Sequence, residues 1–325
     1  MQVNRRLGSI ARAWALALAA VLLAAPLGAS AQEAYPSRPI EMIVPWGPGG
    51  GSDQTGRKIA KLLETELKVS LPVVNVPGAT GNTGILKLIA GRPDGYSLAV
   101  LAADTLYANQ ISGAQKWTLA DLTPIAVMIQ QPSGFYVAEG SRFKTWADVE
   151  AEAKSKSLKV GISGFGSPDD VTIGYFNSKG LKLQGVPFAN PGERYTSLIG
   201  GHTDLMYSPL GNVRGMVESK QMRPIIVFGN KRLPEYKDVP TSKEFGYDVT
   251  LPQFRAIVVK AGTDPQRVKT ISDALARVFA DKEYAEFLKM SLASEDSYIP
   301  SKDAAAFMQG EFETVRKVLT ATGKN

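Results

Sequence analysis

VPWGPGGGSDQTGR, residues 44–57, places Gly47, Gly49, Gly50 and Gly51 within five positions. The apolar run before it, residues 40–46, predicts a strand, and the apolar spacing after it predicts a helix over residues 53–68. Either this turn needs only the backbone freedom of glycine, or its bare N–H groups face an anion at the start of the helix. Asp53 is expected to cap this helix or, alternatively, to hold a water or donor group facing a ligand.

The common phosphate-binding motifs do not fit this glycine stretch. Counted from Gly51, a P-loop would need lysine where Arg57 stands and a hydroxyl side chain where Lys58 stands. The dinucleotide motif fails too, since Ser52 occupies the position of its third glycine. Nucleotide binding is therefore not expected. A strand, a glycine turn and a helix start remain, which is an arrangement suited to a smaller anion.

Three further loops repeat this pattern of a predicted strand followed by a loop and a helix start. They are VPGATGNTG at residues 76–84, SGFGSPDD at 163–170 and FANPGERY at 188–195. Short apolar runs alternate with helical patterns along the chain, which predicts α/β architecture. In open α/β sheets, ligands bind at the edge formed by the carboxyl ends of the strands. The four loops are therefore expected to meet at one ligand site.

Residues suited to catalysis are few. His202 is the only histidine and there is no cysteine, so cysteine chemistry and histidine–cysteine zinc sites are excluded. No nucleophile-elbow motif is present, and the paired carboxylates Asp169 and Asp170 follow a predicted helix cap at Ser167. We expect no catalytic residue, no metal site and no cofactor. Five aromatics near the loops belong either to the core or to an apolar wall of the site: Trp46, Phe165, Phe188, Tyr195 and Phe254.

The amino-terminal segment has the features of a secretory signal. Three arginines precede the apolar run at residues 13–25, and small residues at 29–31 predict cleavage after Ala31. These arginines are the only charged residues of the segment, so its removal lowers the formal net charge from +6 to +3. The remaining basic residues form no block, and nucleic-acid binding is not expected. The mature protein is expected to be periplasmic.

Several motifs resemble, in order and spacing, the Bug/TctC family of periplasmic solute-binding proteins that serve tripartite tricarboxylate transporters. They are YPSRPIEMIVPWGPGGGSD at residues 35–53, NVPGATGNTG at 75–84, RPDGYSL at 92–98 and VPTSKEFGY at 239–247. The stretch from 186 to 229 matches the second-domain core of the family without gaps. The resemblance extends over nearly all of residues 35–325.

The resemblance implies a two-lobed type II periplasmic binding protein fold with a ligand cleft between the lobes. Lobe one would comprise residues 35–128 and 254–325, and lobe two residues 129–253, with strands near 123–131 and 251–259 as the crossings. The implied ligand-binding residues are Trp46, Gly47, Pro48, Gly49, Gly50, Gly51, Ser52, Asp53, Gly81, Asn82, Ser163, Gly164, Phe165, Gly166, Ser167, Asn190, Pro191, Gly192, Tyr195 and Asp204.

The implied function is capture of a small carboxylate by hinge closure and delivery to the membrane subunits of a tripartite tricarboxylate transporter, by a monomer. Presentation of the ligand to a sensor kinase is an alternative, and an exported enzyme using Asp169 and Asp170 is another. Trp46 replaces a usual phenylalanine, Asn190 follows Ala189 in place of a lysine–glycine pair, and Glu193 and Arg194 add charges. These departures leave the ligand open among di-, tri- and aromatic carboxylates.

Overall fold

The computed structural model of the protein describes residues 34–111, 116–294 and 296–321. The expected signal at residues 1–31 lies outside the described residues. Residues 34–37 contain no helix or strand, and every element below lies in the compact unit formed by residues 38–325. No helix among the described residues combines the length and the apolar character needed to cross a membrane.

Two mixed sheets carry the fold, as the α/β prediction requires. Their strands are β1 (Glu41–Val44), β2 (Val73–Asn75), β3 (Ser97–Ala102), β4 (Leu122–Gln131), β5 (Ser133–Ala138), β6 (Leu158–Ile162), β7 (Leu183–Pro187), β8 (Leu205–Pro209), β9 (Met222–Phe228), β10 (Gln253–Lys260) and β11 (Ile299–Pro300). The helices are α1 (Gly51–Leu67), α2 (Asn82–Ala90), α3 (Ala103–Ile111), α4 (Trp146–Ala153), α5 (Pro168–Ser178), α6 (Pro191–Ile199), α7 (Arg214–Glu218), α8 (Pro265–Ala280), α9 (Lys282–Met290) and α10 (Ser301–Ala321).

The first sheet has the order β11-β4-β10-β3-β1-β2, and the second has the order β7-β6-β8-β5-β9. In the first, β1 runs parallel to β2 and β3, whereas β10 runs antiparallel to β3 and β4. In the second, β6 runs parallel to β7 and β8, and β5 runs antiparallel to β8 and β9. Helices therefore follow the parallel strands in both sheets, and the loops between them open at the carboxyl ends of those strands.

The chain passes between the sheets at two neighbouring points. Pro132 alone separates the end of β4 from the start of β5, and β10 begins at Gln253, directly opposite Gln131 in the antiparallel pair. The long helix α10 packs on β4 of the first sheet and also on α5, which belongs to the second. The chain thus changes from one sheet to the other at residues 131–133 and 252–253.

Aromatic packing fixes the second sheet against its helices. Phe135 of β5 is fully buried, and its ring lies 5.0 Å from that of Phe228, 5.7 Å from that of Phe176 and 5.9 Å from that of Trp146, centroid to centroid. Such pairs contribute about 0.5–1.5 kcal/mol each beyond the apolar area that they bury. This cluster makes the second sheet a rigid platform for the loops at its edge.

Helix starts and ends follow local sequence signals in most places. The spacing of Thr145 and Asp148 predicts a capping box, which the two residues form at the start of α4, and Ser167 caps α5 as expected. The spacing of Thr263 and Gln266 predicts a capping box, which is wrong, because the Asp264 side chain accepts the N–H bonds of residues 266 and 267 instead. The amphipathic pattern over residues 265–290 predicts one long helix, but Asp281 leaves the helical conformation and caps α9 through the Glu283 N–H, so that two helices form, α8 and α9.

Candidate anion-binding site between the two sheets

Residues from both sheets line one cavity at the carboxyl ends of the strands. The first sheet contributes the glycine turn, Asp104 and two residues of β10, and the second contributes the starts of its loops. The lining residues are Trp46, Gly50, Gly51, Ser52, Asp104, Ser163, Pro191, Arg194, Tyr207, Pro209, Asn212, Gln253 and Arg255. The cavity volume is about 30 Å³, about the space of one water molecule. The two sheets are thus nearly in contact around it.

The glycines of the turn mainly allow other residues to approach the backbone closely, and only one of them adopts a positive φ. Only Gly49 has a positive φ, at 79°, among the four glycines of residues 47–51. A Cβ on Gly50 would lie 2.6 Å from Cγ of Pro191, which belongs to the other side of the cavity. A Cβ on Gly51 would lie 2.1 Å from Nη2 of Arg255 and 2.3 Å from Oδ1 of Asn212. A side chain at either position would fill the space between the two sheets.

The amino end of α1 faces this cavity without a side-chain cap. Gly50 is the N-cap residue, with an extended backbone, and it has no side chain that could accept hydrogen bonds from the first helical amides. The first N–H groups of a helix have no partner within the helix and carry the positive end of its dipole. Gly51 and Ser52, both buried, begin this helix and line the cavity. The helix start therefore turns N–H donors without a side-chain cap towards the cavity.

Asp53 holds the turn in place, and the expectation that it caps α1 is wrong. Its carboxylate accepts hydrogen bonds from the Gly49 N–H at 3.0 Å, from Asn75 at 2.9 Å and from Arg57 at 3.0 Å. Burial by itself would raise the pKa of Asp53, but these hydrogen bonds outweigh burial and the pKa is lowered. Arg57 thus compensates the negative charge of Asp53, and Asp53 does not line the cavity.

Arg255 of β10 supplies the clearest charge in the cavity. Its side chain is 5% exposed, and no acidic residue among those described forms an ion pair with it. Nη1 donates to Oε1 of Gln131 at 2.5 Å and Nη2 donates to Oδ1 of Asn212 at 3.3 Å, whereas Nε has no partner in the described structure. Burial lowers the pKa of this guanidinium, and the charge of Asp104 acts in the opposite direction.

Arg194 of α6 is the second buried guanidinium of the cavity, but it forms an ion pair with Asp169. Nη1 donates to Oγ of Ser163 at 2.7 Å and lies 3.5 Å from Oδ2 of Asp169. Nε has no partner among the described residues. The neighbouring Glu193 is exposed and lies outside the cavity lining. Of the two charges that the sequence placed near the cleft, only that of Arg194 reaches it.

Asp169 is fully buried behind Arg194. Burial raises its pKa to about 6, the negative charge of Asp104 adds to the rise, and Arg194 opposes it. Asp169 accepts hydrogen bonds from the Ser163 N–H and from Oγ of Ser167, while Asp170 accepts one from the Gly166 N–H. Both carboxylates are therefore engaged in shaping the loop over residues 163–170.

The raised pKa of Asp169 predicts a pH-dependent stability. The ordinary carboxyl pKa is 3.8 and the folded value about 6, so between pH of about 4 and 6 the folded protein retains a proton that the unfolded chain has released. Rising pH in this window therefore lowers the free energy of unfolding. We expect the melting temperature of Asp169→Asn, relative to wild type, to rise from pH ~4 to pH ~7. A difference between the two proteins that stays constant over this range would contradict the assignment.

The structure separates the residues expected from the sequence into groups. Six of them line the cavity: Trp46, Gly50, Gly51, Ser52, Ser163 and Pro191. Others lie where the two sides touch without lining it, as Gly47 does against Asn190, Gly164 against Thr80 and Gly166 against Ala108. Pro48, Gly49, Asp53, Ser167 and Gly192 shape the same loops.

Five expected residues do not line the cavity. The Asn82 side chain accepts a hydrogen bond from Trp117 Nε1 and donates one to the Ala79 carbonyl. Gly81 packs against Thr105. The Phe165 ring is 63% exposed, and Tyr195 is buried in an apolar cluster with Leu198 and Met206. Asp204 precedes β8 at its amino end, where it pairs with Arg142 at 3.0 Å, whereas the cavity adjoins the carboxyl end at Pro209.

Sequence reasoning did not single out six of the lining residues: Arg255, Asp104, Gln253, Tyr207, Pro209 and Asn212. A signal for Arg255 exists, because a guanidinium within the apolar strand QFRAIVVK must find a polar partner. Asp104 likewise follows the buried strand SLAVLA directly. Arg255 pairs with Ala102 in the ladder between β10 and β3, which brings these two charged residues to one end of the sheet.

Comparison with known proteins places the chain in a family. Residues 56–323 match the TctC family, described as the tripartite tricarboxylate transporter family receptor. A UPF0065 protein of Cupriavidus necator is 29% identical over 95% of this chain and 94% of its own length. The protein BugT of Bordetella pertussis is 25% identical over 93% of each chain.

Solved structures agree with this placement. A TctC solute-binding protein from Polaromonas is 30% identical, with a TM-score of 0.63 over 88% of this chain and 99% of its own. The Rhodopseudomonas palustris protein MatC, solved with bound malate, and R. palustris Rpa4515, solved with adipate, are each 21% identical, with TM-scores of 0.81 and 0.83. They cover 88% and 89% of this chain and 100% and 98% of their own. The two-lobed periplasmic binding fold is thereby confirmed, and the chain belongs to the TctC family of periplasmic solute-binding proteins, the receptors of tripartite tricarboxylate transporters.

Proposed function

We propose that this protein binds a small carboxylate between its two sheets. The observation that carries the proposal is Arg255, a buried guanidinium with no acidic partner among the described residues and an unpaired Nε. A buried charge without a counter-ion is costly, and an anionic ligand would offset that cost. The uncapped start of α1, at Gly51, faces the same cavity. Bound malate and adipate in two proteins of this fold support a carboxylate as the anion.

The ligand would be held by donors from both sides. On the first side, Nε of Arg255 and the amides of Gly51 and Ser52 would receive one carboxylate. On the second side, Arg194 and Ser163 would complete the enclosure. Charge-assisted hydrogen bonds are about twice as strong as neutral ones. A few of them, together with burial of the ligand against Trp46, supply the roughly 8 kcal/mol that micromolar affinity requires.

Entry of the ligand requires the two sheets to separate. Typical ligand pockets measure roughly 300–1,000 Å³, whereas this cavity measures about 30 Å³. We propose that residues 35–128 with 254–325 form one lobe and residues 129–253 the other, and that they open at β4 and β10. The closed arrangement has Pro191 against Gly50 and Thr80 against Gly164. A ligand that contacts both lobes would shift the equilibrium towards a closed form with room for it, in which the lobes are less tightly shut than here.

The carboxylate would pass from here to the membrane subunits of a tripartite tricarboxylate transporter. The family match supports this destination, since the family is described as the receptor of that transporter. Export to the periplasm would follow from the signal at residues 1–31, cleaved after Ala31, and the mature protein would act as a monomer.

A thermal-shift screen tests the proposed function. Ligand at 100 times its Kd stabilises the folded protein by about 2.7 kcal/mol, which corresponds to a rise of about 5 °C in melting temperature for a protein of this size. We expect such a rise with at least one member of a panel of mono-, di-, tri- and aromatic carboxylates. The matching neutral amides serve as controls and should give no shift. Equal shifts with acids and amides, or none with any acid, would overturn the proposal.

A further inference from the structure

Asp104 places a negative charge in the same cavity. It lies in the first turn of α3, directly after β3, and its side chain is partly exposed to the cavity that it lines. No described residue forms a hydrogen bond or ion pair with its carboxylate, although its charge acts on both Arg255 and Asp169. The dipole of a helix stabilises an acidic side chain in its first turn. One wall of the cavity is therefore anionic.

Two charged groups of the cavity, Arg255 and Asp104, form no ion pair with any described residue, although the charge of Asp104 acts on the Arg255 guanidinium. The positive charge of Arg194 is compensated by Asp169, whose Oδ2 lies 3.5 Å from Nη1 of Arg194. Arg255 and Asp104 lie at the same end of the first sheet, yet they form no ion pair with each other. A ligand that carries both signs of charge would satisfy both residues, whereas a simple dicarboxylate would bring a second negative charge towards Asp104.

We propose that the ligand is an amino acid in its zwitterionic form, with its carboxylate on Arg255 and the α1 amides and its ammonium on Asp104. This inference rests on the proposed function and names the substrate class of that site. A hydroxy acid would donate one hydrogen bond to Asp104 but would leave its charge uncompensated when the lobes close. The ammonium provides both the donors and the charge.

Two matched series of small acids test this assignment by isothermal titration calorimetry at neutral pH. In succinate, L-malate and L-aspartate, position 2 carries hydrogen, hydroxyl or ammonium; propionate, L-lactate and L-alanine form the same series with one carboxylate. In at least one series we expect the amino member to bind at least ~10-fold more tightly than the unsubstituted member. Binding of the unsubstituted acid as tightly as its amino analogue in both series would overturn the inference.

The variant Asp104→Asn should invert the preference. The amino member should bind at least ~10-fold more weakly than to wild type, and the unsubstituted acid more tightly, because a like charge has been removed. Asp303→Asn is the matched control: Asp303 also lies in the first turn of a helix, but 57% of its side chain is exposed and it does not line the cavity. This control should keep the wild-type preference.

The outcomes separate the inference from the proposed function. If carboxylates bind and the amino members are not preferred, the zwitterion assignment fails while carboxylate binding stands. If no acid of these series or of the wider panel binds, the proposed function fails and the inference fails with it. A preserved preference in Asp104→Asn, with unchanged circular dichroism, would also overturn the role of Asp104.

Discussion

Replacing Arg255 with glutamine is expected to weaken binding of the carboxylate ligand by at least ~100-fold, or about 2.7 kcal/mol. Glutamine keeps the polar character and part of the length of the side chain but removes the charge and the Nε donor. Loss of one member of a buried, hydrogen-bonded charge pair costs about 2–5 kcal/mol in other complexes. The binding constant should be measured by calorimetry with the ligand that gives the largest thermal shift.

Arg277→Gln is the matched control for this variant. Arg277 lies on α8 with 55% of its side chain exposed, and it pairs with Glu66 far from the cavity. Its replacement should leave the binding constant unchanged within error. Arg255→Gln should also remain folded in the absence of ligand. Unchanged affinity in Arg255→Gln would show that the carboxylate is held elsewhere.

Replacing Gly50 with valine is expected to prevent closure of the two sides and to lower affinity at least ~10-fold. A Cβ at this position lies 2.6 Å from Cγ of Pro191, so the sides cannot meet as they do here. The backbone of Gly50 has φ −79° and ψ 170°, an extended conformation that valine adopts readily. The variant should therefore fold. Small-angle scattering should show that ligand compacts the wild-type protein but not the variant.

Gly140→Val provides the control for the glycine substitution. A Cβ on Gly140 meets nothing within 4 Å, and its φ is not in the left-handed region. This variant should bind ligand and compact as the wild type does. If Gly50→Val closes and binds normally, then contact between the two sides at Pro191 is not part of the bound state.

Local patterns were enough to predict the glycine turn, the helix that follows it and the α/β class. Gly47, Gly49, Gly50 and Gly51 could be recognised from composition alone. The reason for Gly50 and Gly51 could not be recognised in this way. They leave room for Pro191 and Arg255, which lie more than a hundred residues away in the chain. Asp53 was misread for a related reason. Its partner Asn75 is supplied by β2, and a cap prediction considers only neighbouring residues.

The charges of the site depend on strand register, which the sequence pattern did not specify. Arg255 and Asp104 line the same cavity because β10 runs antiparallel to β3 and pairs Arg255 with Ala102. The family resemblance placed Asp204 in the site, but Asp204 lies at the amino end of β8 and the cavity at the carboxyl end. Strand direction and register therefore account for both the missed and the misplaced residues.

The most direct test of carboxylate binding by Arg255 is a crystal structure of the protein with the ligand that binds most tightly. The account predicts a carboxylate oxygen at about 2.7–2.9 Å from Nε of Arg255, with another oxygen facing the amides of Gly51 and Ser52. A ligand bound outside this cavity, or one inside it that contacts neither Arg255 nor the start of α1, would contradict the account.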